Sequence, residues 1–66
     1  MDEQTIRNFL VSYGDKVRRA RIKLELTQLK LARLIGCSQA IISHIECGYM
    51  LPPPHIKKAI SEILKV

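Results

Sequence analysis

The sequence predicts a compact all-α domain, and three observations lead to this fold class. Apolar residues recur in steps of three and four, the spacing of amphipathic helices. Capping residues, glycines and a run of prolines divide the chain into short segments of helical length. No segment alternates apolar and polar residues as a half-buried strand would. Because 66 residues leave room for one core only, we expect a single domain over 1–66 with four or five helices.

The first helix is predicted over residues 3–24, with residues 1–12 as an N-terminal extension. Its apolar stripe comprises Ile6, Leu10, Tyr13, Val17, Ala20 and Leu24. Gly14 interrupts the helix at a cost of about 1 kcal/mol relative to alanine, so a hinge is plausible there. Both one long helix and two short ones fit this segment.

Two short helices are predicted next, and the residues at their ends define them. Thr27 is a favourable N-cap for a helix over 28–35. Gly36 tolerates the left-handed dihedrals that end a helix. Ser38 caps a third helix over about 39–47, which Gly48 terminates. The result is two short helices around a glycine turn.

A last helix is predicted over 55–65, after a loop that contains three consecutive prolines. Proline is favourable in the first turn of a helix, so this run both ends the loop and starts the helix. The apolar face of the last helix comprises Ile56, Ala59, Ile60, Ile63 and Leu64.

Composition limits the classes of partner and the cellular locations that fit this protein. The formal charge of +5 favours an anionic partner, although this signal is weak alone. No apolar run approaches a membrane span, and no signal-peptide pattern is present, so we expect a soluble cytoplasmic protein without membrane contact. Cys37 and Cys47 lack the spacing of a metal site or a disulfide framework, so two reduced thiols are expected, one of them in the core.

Two short helices joined by a tight glycine-containing turn form the helix-turn-helix pattern, here over 27–48. Ala32 has to be small because the two helices cross closely there. The inward residues are predicted to be Leu31, Ile35, Ile42 and Ile45. The third helix would then present an outward face made of Ser38, Gln39, Ala40, Ser43 and His44.

In this register the sequence resembles the lambda-repressor-like, or Cro/C1-type, helix-turn-helix DNA-binding domains, and the resemblance covers residues 13–66. Each match is weak alone, but together they keep the family spacing. They are Arg21, Leu26, Thr27, Gln28, Leu31, Ala32, Gly36, Ser38, Ile42, Ile45, Glu46, Gly48, a proline after the loop and 60–64.

The resemblance implies DNA contacts for specific residues. Gln39 takes the position that most often reads a base, and its amide can form a bidentate pair with adenine. Ala40 would touch a thymine methyl, and Ser43 and His44 would reach bases one turn further along, although a solvated face is as probable for those two. Gln28 corresponds to the family glutamine that bonds a phosphate and buttresses the third helix, at a helix end that also attracts phosphate. Further phosphate contacts are expected at Ser38, Lys30, Arg18 and Arg33, and Lys23, Lys57 and Lys58 are also candidates. For each of these cations taken separately, a solvated surface charge is the more probable role.

Arg21 and Glu46 resemble the partly buried ion pair of the family, which has a structural role. The sequence departs from the family at Lys30, where a glutamate usually completes the capping box. Glu25 replaces the usual glycine between the first two helices, so we expect a different shape for that connection. Leu29 and Leu34 are unusually apolar, and we expect them to pack on the N-terminal extension.

The loop after Gly48 is apolar where family members carry phosphate-binding residues. An exposed apolar cluster indicates a protein contact more often than a DNA contact. The family commonly dimerises through this loop and the last helix, so we expect a homodimer interface at Met50, Leu51, Ile63 and Val66. Ile60 and Leu64 also belong to this region, although closing the monomer core is the more probable role for both.

The sequence therefore predicts a transcriptional regulator of prokaryotic or phage origin that binds double-stranded DNA, most simply a Cro-like repressor acting as a homodimer on a palindromic operator. One alternative is a protein-interaction module on the same scaffold; another is an antitoxin-type regulator that also binds a partner protein. An enzyme is the poorest interpretation, because the carboxylates are scattered and neither histidine has a nucleophile or metal partner. No cofactor, metal or small-molecule ligand is expected.

Overall fold

The computed structural model describes residues 2–66, and within them the chain is entirely helical. Four helices follow one another, namely α1 (Glu3–Lys23), α2 (Gln28–Ile35), α3 (Gln39–Glu46) and α4 (Pro54–Leu64). Residues 2–66 contain no strand, which confirms the all-α prediction with four helices. None of these helices combines the length and the apolar character that crossing a membrane requires.

Local side-chain chemistry starts the first three helices. The Asp2 carboxylate accepts the Thr5 N–H at 2.7 Å, and this bond lowers the pKa of Asp2. Thr27 Oγ1 accepts a backbone N–H at 3.0 Å from the first turn of α2, and Ser38 Oγ accepts one at 3.3 Å from α3. Each bond satisfies a donor that has no partner inside its helix. At α4 the caps are replaced by proline at the first helical position, Pro54.

Left-handed residues end α1 and α2. Gly36 has φ of +90° at the end of α2, as expected for a glycine C-cap. Glu25 has φ of +59° after α1, so it adopts the left-handed region that glycine normally occupies. Glu25 thus reaches a glycine-like φ at the steric cost of its Cβ, and the expected difference in the shape of this connection stays a prediction.

Gly14 lies where α1 packs closely against α3. α1 runs unbroken through Gly14, which is buried against the C-terminal end of α3. A Cβ added at Gly14 would collide with the Ile45 carbonyl oxygen and lie 2.8 Å from that of Glu46. The hinge considered at this glycine is therefore wrong; its missing side chain lets two helix backbones approach each other.

The core draws on every helix. Its buried residues are Val17 from α1, Leu31 and Ala32 from α2, Ile42 and Ile45 from α3, and Ile56, Ile60 and Leu64 from α4. α3 packs against α1 and α2, while α4 packs against the same two helices. α3 is thus held by α1 and α2, with α4 closing the core.

The ends of the α1 stripe stay outside this core. Val17 is fully buried at its centre, whereas Ile6 is 46% and Leu24 50% exposed. Leu29 and Leu34 are 43% and 52% exposed, so the expectation that they pack on the N-terminal extension is wrong. The extension lies instead against the turn that follows α3.

Candidate nucleic-acid interface

α3 presents one polar face to solvent. Ile42 and Ile45 are buried completely, which anchors the opposite side of the helix in the core. At about 100° per residue, the four residues predicted to contact bases share an arc of about 140°. Gln39, Ala40 and His44 are exposed on this arc, and Ser43 is partly exposed.

The N-terminal end of α3 is accessible as well. Ser38 and Gln39 are both exposed there. The first-turn N–H groups of a helix have no intrahelical acceptor and lie at the positive end of its dipole. Because Ser38 Oγ accepts only the N–H of Ile41, this end retains donors suited to an anionic oxygen.

An ion pair fixes the opposite end of α3. Arg21 Nε donates to Glu46 Oε2 at 2.7 Å, and Arg21 Nη2 donates to Glu46 Oε1 at 3.0 Å. The two side chains are only 12% and 3% exposed. Arg21 Nη1 also donates to the Leu26 carbonyl oxygen at 2.7 Å. One guanidinium thus joins α1, the connection to α2 and the end of α3.

Gln28, predicted as a phosphate contact, is part of this network. Its Nε2 donates to Glu46 Oε1 at 3.1 Å, from the first position of α2. A side-chain amide has a second N–H and a carbonyl oxygen beyond that bond. This bond agrees with the supporting role toward the third helix that the resemblance implies for Gln28. Glu46 itself was not predicted as the partner, because residues 18 positions apart share no local periodicity. The bond restricts the Gln28 amide to one orientation beside α3.

The predicted phosphate-contacting cations are exposed. Lys30 and Arg33 lie on α2 opposite the buried Leu31 and Ala32, and Arg18 is exposed on α1. Within residues 2–66, the ion pairs join Glu3 with Arg7, Asp15 with Arg19, and Arg21 with Glu46. The charges of Arg18, Lys30 and Arg33 are therefore not neutralised by a carboxylate among the described residues.

Tyr49 links α3 to the following loop. Its backbone N–H donates to the His44 carbonyl oxygen at 2.9 Å. The two rings lie 5.9 Å apart between centroids at 52°. Tyr49 is 75% exposed, so it covers one side of His44 without being buried itself. The sequence places Tyr49 in the apolar loop expected to contact a protein, but it does not predict the contact with His44, because Tyr49 follows the helix-ending Gly48 and falls outside the helical pattern.

The residues predicted for the dimer interface divide into two groups. Met50 and Ile63 are partly buried against the monomer core. Leu51 and Val66 are exposed. Ile60 and Leu64 are buried within the monomer, in agreement with the core role considered for them.

Both cysteines are free thiols. Cys37 packs at the edge of the core, and burial raises the pKa of its thiol. Since the thiolate is the reactive form, this shift reduces the reactivity of Cys37. Cys47 is exposed after α3.

A family model described as helix-turn-helix matches residues 17–66, which is most of the chain. The chain belongs to the Cro/C1-type helix-turn-helix family. Members of this Cro/C1-type family are DNA-binding transcription regulators. The matched region begins at Val17 in the middle of α1, so the first part of that helix lies outside it. No curated protein matches the sequence.

Proposed function

We propose that this protein is a sequence-specific transcription regulator, acting in the cytoplasm of a prokaryotic or phage-infected cell as a homodimeric repressor on a palindromic operator. The observation that supports the proposal most is the outward face of α3, where Gln39, Ala40, Ser43 and His44 are accessible on a helix whose other side is buried. An α-helix presented in this way fits the DNA major groove.

Base reading is proposed to centre on Gln39. Its amide is exposed at the first position of α3, and the N-terminal residues of a recognition helix are those that reach base edges. A glutamine amide can donate to adenine N7 and accept from adenine N6. Ala40 is proposed to contact a thymine methyl. Ser43 and His44 are proposed to contact bases one turn further along.

Phosphate binding is proposed to set the orientation of α3 on the duplex. Gln28 would use the amide hydrogen that does not bond Glu46, and Ser38 would contribute at the N-terminus of α3. Arg18, Lys30 and Arg33 supply exposed positive charge. Such contacts fix position without reading sequence.

The homodimer is proposed from the small core and the exposed apolar residues near the C-terminus. A chain of this size buries a small fraction of its surface, so association adds stability. Leu51 and Val66 provide exposed apolar surface beside the partly buried Met50 and Ile63. A two-fold dimer would place its recognition helices about 34–36 Å apart, or one DNA turn, and would favour a palindromic site.

Selection of bound duplexes from a random pool tests this function. The wild-type protein should enrich one palindromic motif, and Gln39→Ala should relax the preference at one base pair of each half-site, with a loss of about 1–3 kcal/mol there. Gln4→Ala makes the same chemical change on exposed α1 and should select the wild-type motif. An unchanged motif for Gln39→Ala would refute its assignment as a base-reading residue, and no enriched motif would refute the proposed function.

A protein-interaction module or an antitoxin-type regulator is the second candidate function. The observation that favours it is the exposed apolar surface of α2, where Leu29 and Leu34 are 43% and 52% exposed. If Leu34→Glu leaves DNA binding intact but abolishes the binding of a partner protein, the antitoxin-type function is supported.

A further inference from the structure

An apolar groove lies between the first turns of α1 and the turn after α3. α1 contributes Ile6, Leu10 and Val11, and the turn contributes Cys47, Gly48 and Tyr49. Glu3 and Arg7 line the same groove on the α1 side. Most of this surface lies outside the region that the family model matches.

Gly48 holds the two walls of the groove together. It has φ of +78°, and a Cβ at this position would lie 2.9 Å from Cγ2 of Val11. α1 therefore packs directly on the backbone of the turn. The groove is a defined part of the fold, although its apolar residues remain accessible, with Ile6 46% and Tyr49 75% exposed.

We infer that α1 of a second copy of this chain covers the groove, in an antiparallel two-fold arrangement. This inference rests on the proposed homodimer and assigns it a main contact surface. In an interface of this type, the same surface of each copy faces its counterpart.

The residues proposed for a C-terminal interface offer only a small exposed area, and this supports a second copy at the groove. A stable interface covers roughly 800 Å² on each partner. Met50 and Ile63 are already partly covered by their own core, so exposed Leu51 and Val66 supply a small part of that area. The groove adds further apolar surface directly beside Met50, since Tyr49 forms its wall.

Charge supports the antiparallel arrangement. Glu3 and Arg7 have opposite signs one helical turn apart, and their side chains are 90% and 66% exposed. Their contact within α1 is long, at 3.4 Å, and exposed pairs of this kind contribute little to stability. In an antiparallel pairing, Glu3 of each copy faces Arg7 of the other, so both charges gain a partner in a less hydrated setting.

The groove is also connected to the recognition helix. Tyr49 contributes to the groove and packs beside the ring of His44. A second copy seated in the groove would restrict Tyr49, and with it the neighbouring side of His44. Dimerisation would thereby order part of the DNA-facing surface.

Sedimentation equilibrium of the full chain, free and on the selected duplex, tests the inference. Ile6→Glu should weaken dimerisation at least tenfold, because it places a charge in the apolar groove. Ile22→Glu is the matched control: it alters the same residue type in the same helix, at 53% exposure, and should leave the dimer unchanged. Arg7→Glu and Glu3→Arg should each weaken the dimer, and the double variant should restore it.

The outcomes separate this inference from the proposed function. The inference is overturned if Ile6→Glu dimerises like the wild type, if Ile22→Glu weakens the dimer equally, or if the wild type is monomeric both free and on DNA. If Leu51→Glu alone dissociates the dimer, the C-terminal interface stands without the groove. A groove-dependent dimer that binds no duplex would support the inference and refute DNA binding. Binding of the selected half-site by Ile6→Glu with wild-type affinity would show that the variant is folded.

Discussion

The Glu46 carboxylate accepts hydrogen bonds from two side chains that come from different helices. Both of its oxygens bond Arg21, and Oε1 also accepts from Gln28. Since the Glu46 side chain is only 3% exposed, water cannot replace a lost partner there. The orientation of Gln28 thus depends on a buried ion pair whose own residues are not proposed to contact DNA.

Removing Arg21 should destabilise the protein strongly. Arg21→Ala leaves a buried carboxylate without its counter-charge, and we expect a loss of about 3–5 kcal/mol in the free energy of unfolding. Urea denaturation measures this loss. Arg19→Ala is the control, because the ion pair of Arg19 with Asp15 is exposed and should contribute less than about 1 kcal/mol.

Replacing both partners of the pair distinguishes a lost interaction from an isolated buried charge. The double variant Arg21→Met with Glu46→Leu should recover most of the stability, because no uncompensated charge remains. If Arg21→Ala unfolds at the same urea concentration as Arg19→Ala, the carboxylate is not isolated from water as described.

The residues of this network differ in how far the sequence predicts them. Arg21 and Glu46 follow from the family resemblance, and so does the support of α3 by Gln28, but not the specific bond from Gln28 to Glu46. Its geometry depends on how α2 and α3 cross, and that crossing is set by the packing of Leu31 and Ala32 against Ile42.

At the level of the elements, the start of each helix is a local property. Thr27 and Ser38 each accept a backbone N–H three residues later, so the sequence predicts the start of α2 and α3 closely. Gly14 shows the opposite case. Helix propensity makes it a weak point in α1, yet the helix is continuous there because the glycine permits contact with α3.

Substitution of Gly14 should therefore reverse the usual effect of glycine in a helix. On propensity alone, Gly14→Ala would stabilise α1 by about 1 kcal/mol. Because the new Cβ collides with backbone carbonyl oxygens of α3, we expect a loss of about 1–3 kcal/mol or more. Thermal unfolding measures the change.

An exposed position on the same helix provides the comparison. Ser12→Ala lies in the same helix two residues earlier, faces solvent, and should raise stability by a few tenths of a kcal/mol. A gain in stability for Gly14→Ala similar to that for Ser12→Ala would contradict the close approach of α1 and α3.

At the scale of the whole molecule, net charge and its placement govern the interaction with DNA. The formal charge is +5, while carboxylates pair with Arg7, Arg19 and Arg21. The cations proposed to bind phosphate have no such partner among residues 2–66. When these cations contact phosphates, they release counterions from the duplex, so DNA binding should weaken as the salt concentration rises.

Salt dependence measures this contribution. Three phosphate-binding cations per protomer, or about six per dimer, predict a slope of about −5 for log K against log salt concentration. Arg33→Gln should make the slope less steep by about 2, because each protomer of the dimer loses one phosphate contact. Fluorescence anisotropy with a labelled duplex at several salt concentrations provides the measurement.

A cation outside the proposed surface serves as the control for charge. Lys16→Gln removes one exposed charge from α1 and should leave the slope nearly unchanged. Binding that does not vary with salt would contradict the phosphate contacts and favour the protein-interaction module.

The sequence by itself determined the helical fold class, the bounds of α2 and the outward face of α3. These features depend on interactions within a few residues, such as caps, a glycine stop and helical periodicity, so they can be predicted without knowledge of the packing. The resemblance over 13–66 added the family, and the match over 17–66 shows it.

Only the tertiary structure decided the role of Gly14, the exposure of Leu29 and Leu34, and the groove beside Tyr49. Each depends on the distance between segments that are far apart in the chain, and local periodicity carries no information about that distance. Glu25 gives the same result at a single residue. Arg21 ties the connection around Glu25 to α3 through its bonds to the Leu26 carbonyl oxygen and to Glu46, and Glu25 keeps a backbone conformation there that its own side chain disfavours.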